Sequence, residues 1–214
     1  MAGRCFDAVA RRLSWLARLA CIAAAGLAFI NDASAQILSG IGTENRIEAG
    51  KLLVAAPYLQ DADFEETVVL IVRCGEQGVL GLMVNQPTSV RAGSLFPNLK
   101  TGSARAAQVY KGGPVRMGLN ALLRSRTKPS YGAAISGDLF LISEKPAMIR
   151  AAEATQSQLF RVYVGLCGWS SASQLTGEIR RGLWLVINPD SRIVFDDHPE
   201  SVWSRSIAKI GGTK

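Results

Sequence analysis

Histidine is almost absent from this chain, and His198 is its single instance. Zinc centres built on several imidazoles are thereby excluded. Asp196, Asp197 and Glu200 stand beside His198 in sequence, but Pro199 interrupts the run, and metal sites draw ligands from several elements in fixed geometry. A Ser-His-Asp triad would have to use the same histidine, yet the chain has no G-x-S-x-G elbow. No C-x-x-C pair is present, which argues against dithiol redox chemistry. Gly113 and Gly118 have phosphate-loop spacing, but Leu119 follows where Lys-Ser/Thr is required. Asp61, Asp63, Glu65 and Glu66 read as surface charge rather than as paired catalytic carboxylates. No catalytic residue, cofactor or metal is expected.

Long apolar runs are also missing. The longest, Leu19 to Ile30, falls short of the roughly 20 residues a transmembrane helix needs. Arg4, Arg11, Arg12 and Arg18 precede it, and Ala33-Ser34-Ala35 follows it. This is the order of a secretory signal peptide over residues 1–35, cleaved between Ala35 and Gln36. Arg11-Arg12 is a twin-arginine pair, but Ser14 and Trp15 follow where that signal prefers other residues, which favours the general secretory route. A polar linker, 36–49, then leads to one domain over 50–214. A periplasmic or secreted protein with no transmembrane helix in its mature part is expected; with an uncleaved leader the alternative is cytoplasmic.

Charge of one sign is not strongly in excess. The chain carries 24 basic and 17 acidic side chains, and +7 falls to +5 once the leader is set aside. That allows weak attraction to nucleic acid or anionic surfaces without arguing for either. Arg116, Arg124, Arg126 and Lys128 form one basic cluster with no helix-turn-helix or other recognition signature beside it, so nucleic acid is not the expected partner. An apolar content of 48% supports one ordinary core.

Gly50 to Pro87 holds the clearest structure. Leu52 to Ala56 is an apolar run stopped by Pro57. Thr67 to Val72 (TVVLIV) is β-branched and too short for a helix. Gly75 and Gly78 offer turn positions, and Val79 to Val84 returns until Asn85-Gln86-Pro87 stops it, which predicts a hairpin over 67–84. Further strands are expected at Val109 to Lys111, Leu119 to Leu123, Leu159 to Leu166 and Leu183 to Ile187, with a hairpin about Gly137-Asp138. Residues 88–103 read as loop and short helix. Helices are expected over Pro146 to Ala154, from a Ser173 cap to Arg180, and through Trp203 and Ile207.

These residues carry a resemblance. L-V-A-A-P at 53–57, G-V-L-G-L-M-V-N-Q-P at 78–87, Gly112-Gly113-Pro114-Val115, Gly165-x-x-Gly168-Trp169, Gln174-Leu175-x-x-Glu178, Trp184 and Phe195-Asp196 occur in one order. Together they resemble the YqgE/AlgH family, also called UPF0301 or DUF179, over about residues 50–211. The resemblance implies an α+β domain with a mixed, largely antiparallel, folded-over sheet, barrel-like and flanked by a few helices. It brings no enzyme activity. Some members bear a transcriptional-regulator label, which a cytosolic form of this chain would share. Typical members begin near the position of Gly50 and are regarded as cytosolic, so the leader is a departure.

The mature chain retains Cys74 and Cys167. In an exported domain the pair invites a disulfide; the alternative is two separate buried thiols. Asn85 and Pro87, Gly112-Gly113-Pro114, and Gly168-Trp169 stand at the family-matched corners and are the candidate walls of binding grooves. Trp169 reads equally as an indole packed over a strand-to-helix turn. The expected function is a non-catalytic binding module of the cell envelope, for a protein or small-molecule partner not identified by sequence. The alternatives are a cytosolic regulator using Arg116, Arg124 and Arg126, and a hydrolase centred on His198.

Overall fold

In the computed structural model, residues 46–100, 102–155 and 159–211 are described. The leader, the cleavage site at Ala35 and Gln36, and most of the 36–49 linker lie outside them. The fold grows from TVVLIV and its return. Strand β2 (Val68–Gly75) pairs antiparallel with β3 (Gly78–Met83), so the predicted hairpin is present. Gly78, at φ 101°, makes the turn, and its partner Gly75 is simply the end of the strand. Strand β1 (Leu52–Ala55) lies against β2 and is fully buried, because both of its faces are covered.

Among the described residues ten strands form one curled, largely antiparallel sheet with a few helices on it, an α+β half-barrel. The remaining strands are β4 (Pro87–Arg91), β5 (Gln108–Lys111), β6 (Val115–Arg124), β7 (Ala133–Ser136), β8 (Leu139–Ile142), β9 (Phe160–Trp169) and β10 (Trp184–Ile187). Their order is β10-β1-β2-β3-β9-β6-β8-β7, and the β4–β5 ribbon joins β9 through the one parallel pairing. Strand β9 is the spine of the molecule. Its first half pairs with β5 and β6, and its second half, from Cys167 to Trp169, pairs with β3. The fold-over falls between them at Gly165, whose φ of 77° is one that side chains resist.

Helices α1 (Ala92–Leu95), α2 (Gly102–Ala106) and α3 (Lys145–Ala154) cover one core, with Val109, Leu123, Phe140 and Val162 beneath them. Helix α4 (Ala172–Arg180) covers a second core of Leu53, Val69, Ile71 and Met83. The short α5 (Ser191–Val194), a 3-10 turn at Pro199–Ser201 and α6 (Val202–Gly211) close the third, over Leu52, Val54, Leu70 and Leu82. Alternate residues of β1 and β2 thus enter different cores, as the two-residue strand period requires.

Three sequence expectations are corrected. Ser171, not Ser173, caps α4, its Oγ accepting from the Gln174 N–H at 3.1 Å. Residues 88–91, expected as part of a loop and short helix, belong to β4, since proline is tolerated where an edge strand begins. Cys74 and Cys167 are free thiols. Strand β3 lies between their strands, with Cys74 opposite Val79 and Cys167 opposite Gly81. At about 4.8 Å per strand their Cα atoms are roughly 10 Å or more apart, beyond the ~7 Å limit of a disulfide. Cys167 Sγ instead sits 3.5 Å from the Gly112 carbonyl, and burial pushes its thiol up to about 12. In a chain without residues 1–35, which hold Cys5 and Cys21, iodoacetamide at pH 8 is therefore expected to add once to the native protein, at the half-buried Cys74, and twice after unfolding without reductant. A bridged pair would take up none in either state.

Candidate functional site

The face of β5 and β9 that carries Val109 and Val162 is covered by α1 to α3. Further along, the helices end and the same face continues in the open. A groove of about 580 Å³ lies there, walled by Val90, Val109, Val164, Gly113 and Pro114, with Lys111 and Arg116 among its lining. Val90 is 40%, Val115 38% and Val164 41% exposed. Among the described residues, these three and Tyr58 are the large apolar side chains left in water, and two of them line this groove. Thr88 secures its floor by donating to the Val109 carbonyl at 2.7 Å.

The groove's charge is modest and open to exchange. Lys111 Nζ meets Asp63 Oδ1 at 3.0 Å, with both side chains about half exposed. Such pairs contribute about 0–1 kcal/mol and yield readily to another partner. Arg116 forms no ion pair or hydrogen bond among the described residues. Lys111, Arg116 and Asp63 leave one net positive charge beside an apolar wall.

Of the residues singled out from sequence, Gly113 and Pro114 line this groove. Gly112 lies beneath it: its N–H donates to the Val164 carbonyl and its own carbonyl accepts from Met83, both at close range. Pro87 is exposed at the start of β4. Asn85 is buried, accepting from the Val68 N–H at 2.8 Å and donating to the Glu66 carbonyl at 2.9 Å. It holds the chain's entry into the hairpin, where Glu66 adopts a positive φ of 53°. Trp169 is likewise buried, and its indole N–H donates to Glu178. Gly168 is exposed on the outer side of β9. Of the three expected corners, Gly113-Pro114 lines this groove.

The other candidates are dispersed. Arg116 and Arg124 stand near opposite ends of β6, roughly 25 Å apart, and Arg124 is bound to Asp138 at 2.8 Å. His198 is on the surface, 3.6 Å from Glu200.

One residue with no sequence signal is Arg161, 7% exposed on β9. Its guanidinium donates to the Val194 carbonyl at 2.8 Å and to the Asp196 carbonyl, and lies 4.7 Å from the Tyr110 ring centre and 5.6 Å from that of Phe195. A lone arginine within an apolar run gives no periodic mark; only its position opposite Phe195-Asp196 in the fold reveals it.

Comparison with known proteins agrees with the architecture. Residues 52–214 match the family described as DUF179, AlgH-like. A UPF0301 protein of Pseudoalteromonas translucida is 32% identical over 166 residues, 74% of this chain and 89% of that protein. UPF0301 protein AlgH of Pseudomonas aeruginosa is 28% identical over 164 residues, 74% of this chain and 86% of that one. The solution structure of the AlgH protein from Pseudomonas aeruginosa superposes with a TM-score of 0.61 at 27% identity, covering 76% of this chain and 88% of that one. A crystal structure of a Corynebacterium diphtheriae protein gives 0.64 at 21% identity, covering 80% and 92%, and shares the fold. With the matched stretch running through nearly every described element, from the hairpin to the C-terminal helix, this chain belongs to the AlgH-like DUF179 family.

Proposed function

We propose that this chain is a non-catalytic binding protein of the cell envelope, exported by a cleaved leader, whose ligand is a small amphiphile with one anionic end. The observation that carries the reading is the uncovered apolar face at Val90 and Val164, bordered by an unpaired Arg116. Pockets for small ligands commonly measure about 300–1,000 Å³ and combine apolar walls with few charges. The 580 Å³ groove fits that description. An aliphatic body would cover the valines, and the anionic end would meet Arg116 and draw Lys111 from Asp63. The leader's charged, apolar and small-residue regions support export.

The test uses dodecanoate displacing the fluorescent probe anilinonaphthalene sulfonate. Val164→Asp and Arg116→Glu are each expected to weaken binding about tenfold or more, with thermal stability unchanged because both side chains are solvent-facing. Dodecyltrimethylammonium is expected to bind poorly. Equal binding of both amphiphiles, or indifference to both substitutions, overturns the ligand assignment. A periplasmic species whose mass begins at Gln36 is expected; a full-length protein confined to the cytosol overturns the location.

A further inference from the structure

We propose that the cavity beside Arg161 is a second binding site, separate from the valine groove, for a small monocarboxylate. Buried charges in proteins are ordinarily paired, because leaving an ion unpaired in low dielectric costs several kcal/mol. Arg161 is not paired: among the described residues its guanidinium meets no carboxylate. Two carbonyls take two of its five N–H groups, and two aromatic rings face its charge. Beneath it the Tyr163 hydroxyl is fully buried beside the guanidinium.

Arg161 also borders open space. A cavity of about 330 Å³ is lined by Arg161 and Tyr110 together with Ser103, Gln108, Phe160 and Asp197. A guanidinium fork matches a carboxylate with two parallel hydrogen bonds, and such charge-assisted bonds are among the stronger ones. Ser103 supplies a neutral donor beside the Gln108 amide, which already donates to the Thr88 carbonyl at 2.9 Å, while Phe160, Ala106 and Ala107 favour a short apolar body. The exposed Asp197 sets the charge. A second negative charge would be held against it, so a monoanion suits the site better than a phosphate dianion.

The probes are propionate and inorganic phosphate, titrated at constant ionic strength with chloride as the balancing ion. The readout is the nitrogen and proton shift of the Arg161 side chain by NMR. Propionate is expected to saturate with a Kd of about 1 mM, and phosphate to bind about tenfold more weakly. Ala106→Phe, at an exposed position on the cavity wall, is expected to weaken propionate about tenfold while leaving the Arg161 carbonyl contacts and the melting temperature as they were. No saturable shift with propionate, a tighter fit for phosphate, or an unchanged Kd in Ala106→Phe each overturns the assignment. Val164→Asp, in the valine groove, is expected to leave the propionate Kd unchanged, which keeps the two sites distinguishable.

Discussion

Replacing Gly112 with alanine is expected to cost about 3 kcal/mol or more, a large share of the 5–15 kcal/mol that holds a domain together. An alanine Cβ there would stand 2.2 Å from the Gly165 carbonyl oxygen and 3.1 Å from Leu82 Cδ2. A flexible side chain can yield at such a distance; a carbonyl in a sheet cannot. Gly112 itself is fixed on both sides, through Val164 and Met83, and Gly165 is the pivot where β9 passes from one half of the sheet to the other. Relief therefore requires opening the spine of the fold. Melting temperature is expected to fall by about 6–12 °C, at 2–4 °C per kcal/mol for a domain of this size. Gly177→Ala makes the control: it lies within α4 with nothing inside 4 Å of a new Cβ. It is expected to stabilise by about 0.5–1 kcal/mol. A Gly112→Ala protein as stable as the parent would mean that the two backbones do not pack as described.

The Gly112–Gly165 contact also shows where sequence reading succeeds and stops. Gly-Gly-Pro was legible as a corner, because glycine before proline marks a turn or a close approach. Which backbone approaches was not legible, since Gly165 lies more than fifty residues away. The hairpin at 67–84 was readable because its β-branched run, glycine turn and proline stop are all local. The disulfide expectation failed for the complementary reason: pairing of Cys74 with Cys167 depends on strand order, and β3 comes between their strands. Residues 88–91 read as loop in the sequence because proline stops a central strand, while β4 is an edge. The groove was half legible. Gly113 and Pro114 were named, but Val90 and Val164 look like ordinary strand valines until the helical cover is seen to end beside them. Arg161 was invisible for the same reason.

Glu178→Ala is expected to destabilise by about 2–4 kcal/mol, and it decides what the family-matched residues around Trp169 are for. One carboxylate oxygen of Glu178 accepts from the indole of Trp169 at 2.8 Å and from that of Trp184 at 3.0 Å. The other accepts from Gln174 at 3.3 Å, and Gln174 in turn holds the Ser170 backbone and hydroxyl. The two indoles meet edge-on, 6.1 Å apart, and Phe64 closes on Trp184 at 5.5 Å. Four residues that recur together in the sequence motif thus form one clamp between α4 and the sheet. Removing the carboxylate strands two buried N–H donors, each costing about 1–3 kcal/mol less whatever water can enter to replace it. Glu178→Gln keeps an acceptor oxygen and is expected to cost about 1 kcal/mol. Urea unfolding followed by tryptophan fluorescence measures both. Dodecanoate binding at Val164 is expected to remain as in the parent, because the clamp and the groove share no residue. A Glu178→Ala protein of full stability but altered ligand binding would make Trp169 the wall of a site, and would return to this corner the role assigned here to the valine groove.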